Sequence, residues 1–505
     1  MKPPADSAAH SLDRRAAGVL LHLTSLPGPL GVGDLGPAAL SFADFLRSAR
    51  QRWWQMLPIG PIGPGHSPYA SPSAFAGNEL FVSPELLWRD GLLDRNDLEH
   101  AAGGSPSRVN YDRAKRLRRK LLRQAYAAAV ARPRRWRDGL AEFQRRCGRM
   151  WLDDYALFRA VSSAHAATWT GWPAPLRRRK RAAIAQARRE LRAELDFERF
   201  VQFHFDRQWR RFRKECQARG VGLIGDIPIF VDHESSDVWA RPELFRLDRA
   251  GRPTVVSGCP PDYFSRTGQL WGHPHYAWER HAADGFRWWM ARFRRALDLF
   301  DAVRIDHFIG LHRVWQVPGG ARDARRGRYA RTPGRRLLGR ARAALGRLPI
   351  IAEDLGAVTP DVWKLRDDFE LPGMRVLQFA FAGSDGARYH QPHNHPRRAV
   401  VYTGTHDNDT TVGWFAKLPA PAARRVLAYV GGAADEIRWS MLRAAYASPA
   451  ALAIVPMQDL LGLGSAARMN VPSTPSGNWR WRIAANQLSP DIAQRLAALC
   501  EAYER

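Results

Sequence analysis

Four carboxylates stand where short apolar runs end: Asp226 in GLIGDIP, Asp306 in AVRIDH, Glu353 in PIIAED and Asp407 in VVYTGTHD. Arg304 lies two residues before Asp306, so on an extended strand the two side chains share a face, and the guanidinium holds the carboxylate ionised and aimed. An ionised, oriented Asp serves as a nucleophile. Carboxylates ending several apolar runs, with Arg304, His307 and His406 beside them and no metal-ligand spacing, suit glycosidic-bond chemistry. That chemistry needs one nucleophile, one proton donor and one group that holds sugar hydroxyls around an oxocarbenium-like transition state. Arg-x-Asp alone equally describes a structural ion pair; the set of four, in one register, carries the reading.

Such residues need a frame that gathers four strand ends. Apolar runs at 18–23, 53–59, 221–229, 302–305, 349–353, 374–379, 399–402 and 453–457 give eight strands, separated by helical patterns or long excursions. The alternation predicts an α/β fold, a (β/α)8 barrel of TIM type with helical and loop insertions, whose chemistry sits at the C-terminal ends of its strands. Residues 1–83 form the first part of the barrel, 84–195 an Arg- and Ala-rich helical insertion, and 196–505 the remainder, including a long aromatic loop subdomain at about 230–295. Loops this long in a compact domain are usually functional. The loop after the second strand, GPIGPGHSPYASPSAFAGNELF, lacks the Gly-Lys-Ser/Thr ending of a phosphate loop. It reads as a rigid, substrate-facing segment with Tyr69 exposed at its tip.

Composition narrows the classes. A chain of 505 residues, 45% hydrophobic and with 19 Trp, is globular and long enough for a large core, and so many indoles point to stacking surfaces for sugar rings or bases. The net charge of +28 raises nucleic acid as a partner. The Arg residues, however, are spread through helical patterns such as 113–123 and 177–192 without a nucleic-acid-binding motif, so no nucleic acid is expected. Cys147, Cys216, Cys259 and Cys500 lie far apart with no CxxC or Cys/His spacing, which reads as isolated thiols in a reducing compartment. The N-terminus lacks the apolar core of a signal peptide, and no apolar run approaches the ~18 residues of a membrane span. A cytoplasmic protein without membrane contact, metal or cofactor is expected.

The motifs HLTSLPG, GDIPIFV, PPDYFSRTGQLWG, RIDHFIG, AEDLG, GTHDNDT and NWRWR together resemble the 4-alpha-glucanotransferases, or amylomaltases, of glycoside hydrolase family seventy-seven, over almost the whole chain. The resemblance implies retaining transfer of a segment of an α-1,4-glucan donor to the 4-hydroxyl of glucose or a maltooligosaccharide acceptor. By match to the family motifs, Asp306 is the nucleophile, Glu353 the general acid/base and Asp407 the transition-state stabiliser. Arg304 orients Asp306, and His307, His406 and Asp226 bind sugar around the cleaved bond. Gln269 of GQLWG, Phe379 closing MRVLQF and Asn478 of NWRWR complete the expected substrate-binding set. His273 departs from the family pattern, in which Asn usually stands in WGNP.

A double displacement calls for Asp306 and Glu353 carboxyl groups roughly 5–5.5 Å apart. A hydrolase of α-glucans shares every catalytic residue and differs only in which hydroxyl attacks, whereas a carbohydrate-binding protein would turn nothing over. Tyr263, Phe264 and Trp271, with Tyr69, are expected to stack an acceptor and exclude water, and so to favour transfer.

Overall fold

The computed structural model describes residues 10–132, 134–165, 167–261, 266–383 and 385–505. Among them are twelve strands: β1 Ala16–Leu20, β2 Trp53–Gln55, β3 Gly222–Ile227, β4 Val255–Cys259, β5 Gln269–Pro274, β6 Ala302–Ile305, β7 Arg313–Pro318, β8 Arg328–Arg331, β9 Ile350–Ala352, β10 Gly373–Val376, β11 Ala399–Tyr402 and β12 Leu452–Pro456. Eight close into a barrel in the order β1-β12-β11-β10-β9-β6-β3-β2, every pairing parallel. The strands are covered on both faces, which is why they read as unbroken apolar runs such as AVVY in β11, buried at all four positions. The fold is the (β/α)8 barrel expected.

Strand limits differ where local chemistry intervenes. The second run stops at Gln55: Met56 N–H still donates to Ile224 O, but Pro58 has no N–H with which to extend the ladder. The run at 374–379 leaves the sheet after Val376 and tightens into a 3-10 helix, Leu377–Phe381.

Between β2 and β3 the chain is helical, ending in the long helix Arg192–Ala218. Phe197, Val201, Phe205, Trp209, Phe212 and Cys216 recur on it every three or four residues and are buried. The same helix fastens the loop that carries Tyr69. Gln202 accepts from Gly77 N–H at 2.8 Å and donates to Gly77 O at 2.9 Å, and Gln208 does the same at Ser83 at 2.7 and 3.3 Å. Gly77 lies so close to Phe205 that a Cβ there would sit 2.1 Å from its ring, so only glycine permits the approach.

The stretch 230–294, read from sequence as mostly loop, contains β4, β5 and the helices Trp278–Ala283 and Arg287–Leu299. β4 and β5 join β7 and β8 in an antiparallel sheet of order β5-β4-β7-β8. Two excursions, one after β3 and one after β6, thus pair with each other outside the barrel, a long-range contact with no local signature. Among the described residues no helix is long and apolar enough to cross a membrane.

Candidate active site

The acidic residues of β3, β6 and β9 are on neighbouring strands. Register sets Asp226 opposite Arg304 and Ile305 opposite Ala352, so Asp306 and Glu353, each one residue beyond its strand, stand level. Adjacent strands are ~4.8 Å apart, so the two residues are neighbours across the β6–β9 pair.

Arg304 is the hub. Its Nη1 donates to both oxygens of Asp226, at 2.9 and 2.7 Å, and its Nη2 to Asp306 Oδ1 at 2.9 Å. The Arg304 and Asp226 side chains are 5% and 0% exposed, whereas Asp306 is 30% exposed and open to a ligand. Paired carboxylates raise the Arg304 pKa further above its ordinary value despite burial, so the guanidinium is a permanent cation. For Asp226, burial raises the pKa against the pull of Arg304.

Glu353 differs from Asp306 in kind. Its Oε2 accepts from His307 N–H at 2.6 Å and its Oε1 from Leu355 N–H at 3.0 Å. Burial pushes its pKa up, Arg304 opposes this, Asp306 adds to it, and the result is about 8. A carboxyl group that keeps its proton near neutrality is what a general acid requires. His307 supplies the amide from a left-handed conformation, φ 49°, at the N-cap of the 3-10 helix Phe308–Leu311. Its imidazole, held neutral by burial with a pKa lowered to about 4, meets Trp271 edge-on at 4.9 Å.

Tyr69 is not an exposed loop tip. Its hydroxyl donates to Asp226 Oδ2 at 2.7 Å and lies 3.0 Å from His406 Nε2, and its ring stacks on His406 at 5.3 Å. The loop places it at the inner wall because Ala74 N–H donates to Asp237, Ser236 N–H to Pro72 O and Arg295 to Phe75 O. His406 Nε2 is 3.4 Å from Asp407 Oδ2. Asp407, 46% exposed, also accepts from Asn470 Nδ2 at 2.6 Å. A polar chain therefore runs Asp306–Arg304–Asp226–Tyr69–His406–Asp407, and Glu353 is held beside it by the backbone N–H of His307, the residue after Asp306. Alongside it a cleft is lined by Tyr69, Asp226, Phe230 and Asp232.

Gln269 and Trp271 alternate with exposed residues on β5, and Trp271 Nε1 donates to Gln269 Oε1 at 3.3 Å. They form a wall beside His307 rather than part of the barrel. Phe379 lies just beyond β10, edge-on to His390 at 5.4 Å. Asn478 is occupied by its own loop: it accepts from Val471 N–H at 3.0 Å and donates to Thr474 Oγ1 at 3.0 Å and Thr474 O at 3.2 Å. Its amide fixes the backbone of that loop. Tyr263 and Phe264 lie outside the described residues. Sequence reasoning missed Asn470, for which the only signal is a polar residue after Met469, and missed that the bidentate partner of Arg304 is Asp226.

Fold and carboxylate set define a (β/α)8 barrel enzyme acting on glycosidic bonds. A family model described as 4-alpha-glucanotransferase, glycoside hydrolase family 77, matches residues 21–487. The chain is 46% identical over 504 residues to the 4-alpha-glucanotransferase of Thermus thermophilus, covering 97% of this chain and 99% of that protein. It is 44% identical to the chloroplastic/amyloplastic 4-alpha-glucanotransferase of Solanum tuberosum, covering 98% of this chain and 87% of that protein. Among solved structures, amylomaltase from Streptococcus agalactiae in complex with acarbose superposes with a TM-score of 0.94 at 35% identity, covering 97% of this chain and 100% of that one. The chain belongs to the 4-alpha-glucanotransferase family.

Proposed function

We propose that this chain transfers a segment of an α-1,4-glucan donor to the 4-hydroxyl of glucose or a maltooligosaccharide by retaining double displacement. Asp306 attacks C1 of the donor sugar while Glu353 gives its proton to the leaving O4; the C1–O4 bond breaks and a glycosyl-aspartate ester forms. The acceptor O4–H then loses its proton to Glu353 as its oxygen attacks C1, releasing Asp306. Arg304 aims Asp306 and bears part of its charge, and Asp407, open to the cleft and steadied by Asn470, accepts hydroxyls of the distorted sugar. Asp226, Tyr69 and His406 wall the sugar beside the cleaved bond, with His307, Gln269 and Trp271 on the acceptor side.

The observation that carries the reading is the level, neighbouring placement of Asp306 and Glu353, one anchored to Arg304 and the other with a pKa raised to about 8. Acarbose in the Streptococcus agalactiae structure accords with a glucan-shaped cleft. Absence of disulfides among the described residues suits a reducing, cytoplasmic setting. Incubation with maltotriose tests the proposal: glucose together with products longer than the substrate means transfer. Glucose and maltose alone would mean hydrolysis, and no turnover would remove the enzymatic reading.

A further inference from the structure

Several aromatic rings stand at the mouth of the barrel beyond the catalytic network. Trp363, in the first turn of the helix Pro360–Asp368 that follows β9, lies 5.0 Å from Tyr389. The next residue, His390, is tied to the end of β10 by Val376 N–H, which donates to its Nδ1 at 3.1 Å, and it meets Phe379 at 5.4 Å. Two residues on, Phe381 contacts Trp414 at 6.1 Å and Tyr429 at 5.6 Å. The rings thus follow one another along the rim past β9, β10 and β11. Tyr389 is 44% and Tyr429 38% exposed, and both stand beside half-buried aromatics.

The row is continuous with the catalytic loops. The helix bearing Trp414, Thr411–Ala416, is capped by Thr410, three residues past Asp407, and Gln378 Nε2 donates to Asp409 O at 2.7 Å. Its polar edge includes hydrogen-bonding groups: the Tyr429 hydroxyl is 2.7 Å from His393 Nδ1, and Asn394 and Gln391 adjoin. The exposed Tyr389 and Tyr429 rings, interleaved with amide, imidazole and phenol groups, match the alternating C–H faces and hydroxyls of a sugar chain.

We propose that this row is a second glucan-binding surface, on which the chain of a long α-glucan lies after it leaves the catalytic cleft. It rests on the glucan-transfer reading for its ligand, but not on turnover for its test. A trisaccharide is too short to occupy both places; amylose is not.

The experiment is native electrophoresis of the whole protein through gels containing soluble amylose, alongside kinetics on maltotriose and on amylose. The Tyr389→Ala, Tyr429→Ala double variant is expected to bind amylose about tenfold more weakly, or about 1.4 kcal/mol. Its KM for amylose should rise correspondingly, with kcat and KM for maltotriose unchanged. The Tyr389→Phe, Tyr429→Phe pair keeps the rings and should be retarded like the wild type, and gel filtration should show one oligomeric state throughout. Equal retardation of wild type and alanine variant, no retardation of the wild type, or a change of oligomeric state in the variant would each overturn the proposal. Absence of maltotriose turnover in the wild type, with amylose retardation intact, would count against glucan transfer and leave the surface supported.

Discussion

Replacing Arg304 tests how the site is held. In Arg304→Met the Asp226 carboxylate, 0% exposed, loses both charge-assisted bonds, and Asp306 loses its bond at 2.9 Å. Leaving one partner of a buried pair uncompensated costs about 3–5 kcal/mol, so the thermal midpoint should fall by several degrees. A hydrogen bond to a charged group contributes about 1.5–3 kcal/mol. If only that much is lost from the transition state, through a nucleophile neither aimed nor charge-balanced, kcat/KM falls by roughly 10- to 200-fold. Arg304 also opposes the raised pKa of Glu353, so the alkaline limb of the rate profile should move upward from about pH 8. Arg304→Lys keeps the charge, but one ammonium cannot span two carboxylates in fork geometry; it should fold more stably than the Met variant yet stay impaired. The assay is maltotriose disproportionation across pH, with thermal melts of both variants. Activity within threefold of wild type and an unmoved pH profile in Arg304→Met would refute the reasoning.

Other outcomes follow from the same geometry. Glu353 acts as an acid only while protonated, so with a pKa of about 8 kcat/KM should decline above that pH; Glu353→Gln should lose transfer and this limb together. His22 and His204 are buried with pKa values lowered to about 3, and among the described residues neither ring nitrogen of His204 has a hydrogen-bond partner. The folded state keeps them neutral while the unfolded chain takes up protons below about pH 6.5. Their contribution is therefore fully present above that pH and is lost as pH falls toward 3, at up to about 1.4 kcal/mol per pH unit for each. Melts from pH 7.5 to 4.5 should show the slope and His204→Phe should lessen it; an unaltered slope would contradict the assignment. Trp271→Ala removes the indole against His307 and should raise the glucose released per bond broken from maltotriose, because an acceptor held less firmly competes less well with water; an unchanged product ratio would move the acceptor surface elsewhere.

Much of this was legible in the residues. Strand-end carboxylates are visible because an apolar run such as PIIAE ends in charge, and β11 has the limits its AVVY pattern gives. Arg304 and Asp306 share a face by simple alternation, and the bond between them exists. The tighter link from Arg304 to Asp226 depends on register between β3 and β6, which no local pattern encodes. Tyr69 looked like an exposed tip because its loop is rich in Gly, Pro and Ser; Gln202 and Gln208, 125 residues away, turn that loop inward. The antiparallel sheet was hidden for the same reason. RVWQVP in β7 does alternate, but its partner TVVSG lies on another excursion, and Gly and His in β5 read as loop.

The central claim is that Asp306 forms a covalent bond to the donor sugar while Glu353 supplies and recovers the proton. It is tested most directly by treating Glu353→Gln with an α-maltosyl fluoride, whose leaving group needs little acid assistance, and mapping any adduct by peptide mass spectrometry. The account predicts a glycosyl ester on the peptide containing Asp306, discharged slowly when maltose is added, with the α configuration retained in the product. An adduct on Asp407 or Asp226 instead, or a product of inverted configuration, would contradict it.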